Sequence, residues 1–379
     1  MMNILHIASI DNNKANGVSI VVPEHVNNQG KLARVALLNC SDVMHDIQEE
    51  NIHYEIYNKK HYADGNINNM PEPFNNPDIV VFHGIYFYYF IKVARYLTKQ
   101  NIPYVIAPHG SLTSFAQQKK YVKKLFGNFL YFNKFVKNSS ALQYLTLNEQ
   151  QMSSAFNNKF FISGNGVYIK DIGVSTIERG NKEGFELTFI GRLDPFHKGL
   201  DILIEACNKI STEMRRCKIH LSIFGPDQQD GRKTIKKMVQ DLGLGDIISI
   251  GEALYGIEKQ KQLKNTDIFI LTSRFEGQPL AAMEALAMGL PVLLTPGTNI
   301  AGDVTKYKCG WKAEFSAESV AEQIIEAYNS KGEMSIYSEN ALKMVKSNYA
   351  WDYIAEKNIM EFENVLTKKV YREKGFGRC

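Results

Sequence analysis

Short apolar segments alternate with helical patterns along the whole chain. In the first half these segments read VALLN, DIVVFHG, YVIAPHG and ALQYLT, and in the second half FELTFIG, HLSIFG, IISIG, DIFILTS and PVLLT. Segments of this length that are apolar on both faces are typical of parallel strands in βαβ units. Two such series in 379 residues predict an α/β protein with two doubly wound domains and a ligand site in the cleft between them.

The composition is that of an ordinary folded protein, with 44% hydrophobic and 22% charged residues. Its five cysteines include no C-x-x-C pair, which argues against a zinc cluster or a disulfide framework and fits a reducing cytosol. The N-terminus reads as a first strand, Ile4 to Ala8, rather than as a signal peptide. The apolar stretch from Ile79 to Ile91 is shorter than the ~20 residues that cross a bilayer. We therefore expect a cytoplasmic protein.

Charge is distributed unevenly, although the net charge is only +4. Between Asp78 and Glu149 lie nine Lys and Arg residues and no Asp or Glu. In this stretch the segment from Gln117 to Asn138 is predicted to be helical around Tyr121 to Lys137. Its apolar face has Val122, Leu125, Phe126, Phe129, Leu130 and Val136, and its opposite face has Lys120, Lys124, Lys134, Tyr131 and Phe135. Contact with an anionic membrane surface and an ordinary solvated face both explain this pattern. No segment resembles a base-reading module, so nucleic acid is not expected as a partner.

Several common catalytic motifs are missing from the sequence. It contains no G-x-x-x-x-G-K-[ST], no G-x-G-x-x-G after the first strand, no H-E-x-x-H and no G-x-S-x-G. It also lacks a D-x-D that would chelate a divalent ion on a nucleotide diphosphate. We therefore expect no metal and no cofactor, and any diphosphate would be held by basic side chains and helix N-termini.

The residues that follow predicted strands are the first candidates for a binding site, because ligands of open α/β sheets bind beyond the carboxyl ends of the strands. After the strand FELTFI come Arg192 and Lys198, a guanidinium fork and a point charge that suit two adjacent phosphates. Surface charges also explain such a pair. After the strand YVIA comes His109, and His83 ends the strand of VVFHG, so both imidazoles are expected at the ligand-binding edge of the sheet.

A further candidate segment reads EGQPLAAMEALAMGLPV. Glu276 follows a strand, and Pro279 is predicted as the first residue of a helix that runs to about Met288. Uncapped amides near Leu280 would then face an anion. Glu284, in the same helix, is suited to accept hydrogen bonds from the vicinal hydroxyls of a ribose or hexose. In the first loop of the chain, Gly17 would let the backbone approach a phosphate or an acceptor.

Together these segments resemble the retaining GT-B glycosyltransferases of family 4, particularly bacterial enzymes that assemble surface polysaccharides. The resemblance rests on EGQPLAAMEALAMGLPV, on GRLDPFHKG, on the PHG at 108–110, on the NGV at 16–18 and on the GNGV at 164–167. It implies a GT-B fold of two Rossmann-like domains, an acceptor-binding domain at 1–170 and a nucleotide-sugar-binding domain at 184–345. A final segment, 346–379, would return to the first domain.

The resemblance also implies a role for each matching residue. Arg192 and Lys198 would neutralise the donor diphosphate, Glu284 would hold the ribose hydroxyls, and Glu276 would contact the donor sugar. Amides near the segment from Gln278 to Leu280, which has Pro279 at its centre, would meet the distal phosphate. His109 would lie beside the reacting sugar, and Gly225, Glu252 and Leu254 would lie near the base. These positions are the predicted catalytic and donor-binding residues.

The implied reaction transfers a hexose from a nucleotide diphosphate sugar to a glycan, without a metal and with retention of configuration. The carboxylate-free stretch adds the hypothesis of a lipid-linked acceptor and of peripheral contact with the inner face of the membrane. Two alternatives stay open: a nucleotide-sugar epimerase of the same fold, and a non-catalytic two-domain solute-binding protein.

Overall fold

The computed structural model describes residues 1–12, 17–42, 52–118, 121–153, 155–156, 158–169 and 184–367, apart from the side chains of residues 115 and 121–123. The chain divides into two compact units, one formed by Met1–Gly166 with Trp351–Cys379 and the other by Val167–Ala350. Most of the predicted linker, from Tyr168 to Gly184, lies outside the described residues.

The first unit contains a parallel seven-stranded sheet. Its strands in chain order are β1 (Asn3–Ala8), β2 (Arg34–Asn39), β3 (Glu55–Asn58), β4 (Ile79–His83), β5 (Tyr104–Ala107), β6 (Ala141–Tyr144) and β7 (Phe160–Ile162). Their order across the sheet is β3-β2-β1-β4-β5-β6-β7, so the direction of winding reverses between β1 and β4. In sheets of this kind, ligands bind at the carboxyl ends of the strands on either side of the reversal.

Helices connect these strands, and their apolar residues pack on the sheet. The α-helices are α1 (Gly17–Gly30), α2 (Tyr88–Gln100), α3 (Ser114–Gln118), α4 (Tyr121–Gly127), α5 (Asn133–Asn138) and α6 (Leu147–Met152), and the short 3₁₀ segments are Lys59–Tyr62 and Ile67–Asn69. The Asn-rich stretch before β4 is not an ordinary loop. Its apolar residues Ile67, Met70 and Phe74 are buried in the core, and asparagine side chains cap the 3₁₀ turns at Lys59–Tyr62 and Ile67–Asn69.

The second unit contains a parallel six-stranded sheet. Its strands are β8 (Phe185–Ile190), β9 (Ile219–Phe224), β10 (Ile248–Gly251), β11 (Ile268–Leu271), β12 (Val292–Leu294) and β13 (Gly310–Lys312). The order across the sheet is β10-β9-β8-β11-β12-β13, which reverses between β8 and β11. The α-helices of this unit are α7 (Leu200–Lys209), α8 (Ser211–Cys217), α9 (Gly231–Asp241), α10 (Gly256–Lys264), α11 (Leu280–Ala287), α12 (Ala301–Tyr307), α13 (Ala317–Asn329) and α14 (Met334–Asn348), with short 3₁₀ segments at Pro296–Thr298 and Ser330–Glu333.

The last helix, α15 (Trp351–Leu366), belongs to the first unit and packs on α1. The Trp351 indole meets the ring of His25 edge-on, with the ring centroids 4.9 Å apart. His25 also bonds to the Asn165 side chain at 3.1 Å and to that of Asn358 at 3.3 Å. A Cβ added to Gly166 would lie 2.4 Å from the Trp351 side chain, so only glycine fits beside the indole.

Candidate active site

The second unit brings two of the predicted segments together at the strand reversal of its sheet. Strands β8 and β11 are hydrogen-bonded neighbours, although a long stretch of chain separates them. Arg192 lies two residues after the end of β8, and the loop with Glu276 follows β11. Both loops therefore leave the sheet at the edge where open α/β proteins bind their ligands.

Lys198 and Glu276 form a direct ion pair between these two loops. Their side chains are only 11% and 12% exposed. The Ser273 hydroxyl donates a second hydrogen bond, of 2.7 Å, to the same carboxylate oxygen of Glu276. A lysine and a glutamate that were predicted separately thus meet in one partly buried contact.

The loop that carries Glu276 is held by residues that the sequence did not single out. The Glu276 amide donates to the Gly297 carbonyl at 2.7 Å. The Asn299 side chain donates to the Gly277 carbonyl at 3.1 Å and to the Glu276 carbonyl. A Cβ at Gly297 would lie 2.3 Å from the carbonyl oxygen of Arg274, so this close approach requires glycine. These contacts position Glu276 before any ligand binds.

Arg192 lies nearer the surface than Lys198. Its Nη1 atom donates to the Gln228 side chain at 3.5 Å, a long and exposed contact. Burial lowers the pKa of His197, and the positive charges of Lys198 and Arg192 lower it further, against the opposite effect of Glu276. The two predicted cations therefore share one electrostatic environment around His197.

The start of helix α11 differs from the prediction. Pro279 is not the first helical residue: its φ of −85° and ψ of 80° place it at the centre of a tight turn, and α11 begins at Leu280. The Leu280 amide donates to the Gln278 carbonyl at 3.1 Å, as expected of an inverse γ-turn, so this amide is not uncapped. The helix ends at Ala287, before Gly289, whose φ is 73°.

Glu284 lies on α11 with its side chain 46% exposed, and it forms an ion pair with Lys259 of α10. Lys259 was not predicted as a site residue. Its side chain is 21% exposed, so it is the more buried partner of the pair. The carboxylate predicted to hold ribose hydroxyls is thus oriented by a cation.

The loops after β9 and β10, where the base is expected, are tied together by Arg232. Its guanidinium donates to the Gly225 carbonyl at 2.8 Å, to the Gly251 carbonyl at 2.9 Å and to the Glu252 carboxylate at 2.8 Å. A Cβ at Gly225 would lie 1.6 Å from the Gly191 carbonyl oxygen, which brings this loop against the one that carries Arg192. Beyond Glu252, Leu254 packs partly buried on the core.

The first unit holds the remaining predicted residues. Gly17 is the first residue of α1, and a Cβ added there would meet nothing within 4 Å, so the fold itself does not require glycine at this position. The preceding Asn16 lies outside the described residues. The expectation that His83 presents its imidazole at the sheet edge is wrong, because its ring is buried, 2% exposed, between His6 and His109.

His109 does lie at the carboxyl end of β5, with partial exposure. Its φ of 50° is in the left-handed region, which is uncommon for a residue other than glycine. The following amide, of Gly110, donates to the Glu149 carboxylate at 2.5 Å, and the same carboxylate accepts from the Leu145 amide at 2.7 Å. Glu149 therefore fixes the backbone that carries His109.

The predicted basic helix is interrupted. Between α4 and α5 the chain forms a π-helical turn, Asn128–Phe132, in which the Asn133 amide donates to the Asn128 carbonyl. The extra residue of a π turn rotates everything beyond it by about 100°. In α5, beyond this turn, Phe135 and Val136 are both buried, although they were predicted on opposite faces. The residues before them remain exposed: Leu125 by 52%, Phe126 by 64%, Phe129 by 81% and Leu130 by 58%.

Two general features of the described residues bear on the possible chemistry. No group of three or more His, Cys, Asp or Glu side chains among them is arranged to hold a metal ion. A search of the same residues finds no helix with the length and apolar character that a membrane span requires. Metal-independence stays a prediction, as does contact with a membrane surface.

Comparison with known sequences points to the second unit. Residues 176–344 match the family model described as Glycosyl transferases group 1. The amylovoran biosynthesis glycosyltransferase AmsK of Erwinia amylovora is 32% identical over 135 residues, which cover 33% of this chain and 31% of that protein. The chain spans between 27% and 43% of the length of three other curated relatives.

Solved structures resemble almost the whole chain. The crystal structure of Anabaena HepE in complex with UDP is 16% identical, with a TM-score of 0.71, and the match covers 96% of this chain and 100% of that one. The apo form of the lipopolysaccharide outer core galactosyltransferase WaaB is 16% identical, with a TM-score of 0.66 and coverage of 97% and 100%. At such identities the likeness concerns the fold. The expected GT-B fold of two parallel-sheet, Rossmann-like domains is confirmed.

Proposed function

We propose that this chain, which carries a glycosyl transferases group 1 domain at residues 176–344, is a glycosyltransferase of bacterial surface polysaccharide synthesis. It moves a hexose from a nucleotide diphosphate sugar to a glycan hydroxyl, with retention of the anomeric configuration. The observation that carries the proposal is the Lys198–Glu276 pair beside the strand reversal of the second sheet. The names of AmsK and WaaB support the polysaccharide context, and HepE, solved with UDP, supports a nucleotide donor.

The chemistry follows from where charge develops. The bond between the anomeric carbon and a diphosphate oxygen breaks, and its electron pair stays on the diphosphate. The acceptor oxygen forms the new bond to the anomeric carbon, and its proton passes to the leaving diphosphate. Arg192 and Lys198 supply fixed positive charge where this negative charge grows. Glu276 orients the Lys198 ammonium and contacts the sugar hydroxyls, while the first-turn amides of α11, just beyond the Gln278–Leu280 turn, meet the distal phosphate.

The remaining residues bind the rest of the donor. Glu284, oriented by Lys259, accepts hydrogen bonds from the ribose hydroxyls. The base lies against the loops of Gly225, Glu252 and Leu254. In the first unit His109 lies beside the reacting sugar and Gly17 near the phosphate or the acceptor.

Nucleotide binding is the first test. UDP, GDP and ADP are added separately to the purified protein, and a binding nucleotide raises its melting temperature by mass action. Sugar transfer is then measured with the matching UDP-, GDP- or ADP-sugar. Lys198→Ala is expected to lose turnover by about 100-fold, as on removal of one charge-stabilising donor. Lys209→Ala, which removes an exposed lysine of the same unit, is the matched control and keeps wild-type turnover.

Other outcomes would identify other functions. Wild-type turnover in Lys198→Ala would remove the assigned role of that lysine. Interconversion of nucleotide sugars without an acceptor would identify an epimerase, and stabilisation without any turnover would identify a binding protein. Activity is expected to persist in EDTA, whereas strict dependence on magnesium would contradict a metal-independent reaction.

We also propose a lipid-linked acceptor and peripheral contact with an anionic membrane, because the first unit presents apolar and basic groups side by side. Phe126, Phe129 and Leu130 are each more than half exposed. Next to them a groove of about 410 Å³ lies between α2 and the helix that ends at Asn138. Its apolar floor is flanked by Arg95, Lys99 and Lys134, which suits anionic headgroups above an apolar phase.

Sedimentation with vesicles tests this membrane contact. The wild-type protein is expected to bind vesicles that contain an anionic phospholipid at low salt, and to be released by high salt. Phe129→Ser is expected to reduce this binding. Ile257→Ser is the matched control, because Ile257 is 70% exposed but lies in the second unit. Failure of the wild-type protein to bind, or equal binding by Phe129→Ser, would overturn the membrane contact without affecting the proposed reaction.

A further inference from the structure

A row of hydrogen-bonded imidazoles crosses the sheet of the first unit and ends at His109. The Nδ1 atom of His6 lies 2.8 Å from Nε2 of His83, and Nδ1 of His83 lies 3.0 Å from Nε2 of His109. The rings stack, with centroid separations of 5.2 and 5.3 Å. At the inner end, Nε2 of His6 lies 3.0 Å from Oε1 of Gln29. We call these four residues the histidine row.

Every ring of the row is neutral near pH 7. His6 and His83 are 0% and 2% exposed, and a positive charge there would be desolvated next to other imidazoles. Burial, with a smaller contribution from His25, lowers the pKa of His6 and of His109 to about 3 each. Burial also holds the pKa of His83 well below its usual value, and the neighbouring histidines lower it further.

In a row of neutral imidazoles, all the hydrogen bonds must run in the same direction, because each ring has one N–H donor and one acceptor nitrogen. The Gln29 carbonyl oxygen accepts from Nε2–H of His6, so Nδ1 of His6 is an acceptor. That nitrogen accepts from Nε2–H of His83, and Nδ1 of His83 accepts from Nε2–H of His109. The Gln29 amide therefore sets the tautomer of His109, three hydrogen bonds away.

We propose that Gln29, His6 and His83 are positioning residues that hold His109 in its Nε2-protonated tautomer, with Nδ1 offered as an acceptor to a ligand hydroxyl. Among the residues that the structure describes, Nδ1 of His109 has no hydrogen-bond partner. The fixed backbone at Gly110 and the bond to His83 together orient the ring. The assignment of the hydroxyl to a sugar rests on the proposed glycosyl transfer, whereas the tautomer does not.

The tautomer is measured directly by NMR on protein labelled with ¹⁵N in histidine, at neutral pH and without substrate. The His109 signals are assigned by their loss in His109→Gln. The expected result is a protonated Nε2 and an unprotonated Nδ1 in the wild-type protein. A protonated Nδ1 on His109 in the folded wild-type protein would overturn the proposal, and this reading needs no variant of the row to fold.

The variant Gln29→Met tests the long-range effect. It removes the acceptor at the inner end, so the hydrogen bonds of the histidine row can run in either direction. His109 is then expected to show a mixture of tautomers. A merely structural role for Gln29 would change His6 and leave the tautomer of His109 intact. An unchanged His109 spectrum in a folded Gln29→Met protein would therefore contradict the positioning role.

Turnover provides a separate reading. Gln29→Met is expected to lower kcat/KM about tenfold, the cost of one misdirected hydrogen bond, while stabilisation by UDP stays at its wild-type value. Because Gln29 acts through His109, the double variant Gln29→Met/His109→Gln is expected to have a kcat/KM no lower than that of His109→Gln alone. Additive losses would overturn the coupling. If the wild-type protein transfers no sugar, the proposed function fails, yet the NMR result still decides the tautomer.

Discussion

Replacement of Lys198 by methionine separates the structural role of the Lys198–Glu276 pair from its role in the reaction. Methionine keeps most of the length of the side chain and removes the charge. The Glu276 carboxylate, only 12% exposed, then keeps the Ser273 hydroxyl as its described side-chain partner. Removal of one partner of a buried ion pair lowers the free energy of unfolding by about 3 kcal/mol. In a domain of this size, that loss lowers the melting temperature by about 6–12 °C.

The double variant Lys198→Met/Glu276→Gln provides the decisive comparison. A neutral amide at position 276 still accepts the hydrogen bond from Ser273 and leaves no uncompensated charge. We expect its unfolding free energy to return to within about 1 kcal/mol of the wild-type value. Its turnover is expected to remain as low as that of the single variant, because the positive charge proposed to stabilise the leaving diphosphate is still missing.

Thermal and urea unfolding are measured for the wild type, for Lys198→Met, for Glu276→Gln and for the double variant, and the four free energies of unfolding form a thermodynamic cycle. Lys209→Ala, in an exposed ion pair, is the control and should melt at the wild-type temperature. The reasoning is refuted if Lys198→Met is as stable as the wild type, or if the double variant is no more stable than the single one. Recovery of turnover together with stability would show that Lys198 acts only as a structural partner of Glu276.

Three further predictions concern the rest of the fold and site. Arg232→Ala is expected to lower the free energy of unfolding by about 2–4 kcal/mol and to weaken UDP binding, because it frees the loops after β9 and β10, where we propose that the base lies. Equal effects of the exposed Arg216→Ala in urea unfolding and nucleotide titration would contradict this. Burial lowers the pKa of His25 from 6.5 to about 4, so the unfolded chain takes up a proton at a higher pH than the folded protein does. The free energy of unfolding is therefore highest above pH 6.5 and falls as the pH decreases. Between pH 6.5 and 5 the free energy of unfolding falls by about 2 kcal/mol from His25 alone, and the buried His6, His83 and His109 add losses of the same sign. A constant urea midpoint over this range would count against this prediction. Gly225→Ala places a Cβ 1.6 Å from a backbone carbonyl oxygen, so this variant should unfold at a much lower temperature. Gly17→Ala should keep the wild-type melting temperature, and it should lose affinity for the donor or the acceptor if the ligand approaches there.

The inner strands of both sheets could be predicted from the sequence, because they are apolar on both faces. The strands that the pattern missed are β3, β7 and β13. All three lie at sheet edges, where one side of the strand lacks a neighbour and the apolar run is shorter. The helix around Phe129 was predicted as one regular element, and its π turn changed which residues are buried. No sequence pattern used here predicts such an inserted residue.

The site could be predicted only in pieces. Lys198 and Glu276 each follow a strand, which is a visible signal, but their contact depends on β8 and β11 being neighbours. Arg232, Lys259 and Asn299 were missed because each is a polar residue on a helix or in a loop, with no repeating pattern. Their importance lies in which carbonyl or carboxylate they meet, and this is a property of the folded chain.

The histidine row shows most clearly why strand register matters for function. His6 is paired with Val81, so His83, two residues further on, points to the same face of the sheet. His83 in turn is paired with Ala107, and His109 lies two residues beyond it. Each step moves one strand across and two residues toward the carboxyl edge, where ligands bind. A buried amide at Gln29 can therefore direct a ring at the ligand-binding edge only while β1, β4 and β5 keep this order and register, and a shift of one residue would turn the imidazoles to opposite faces.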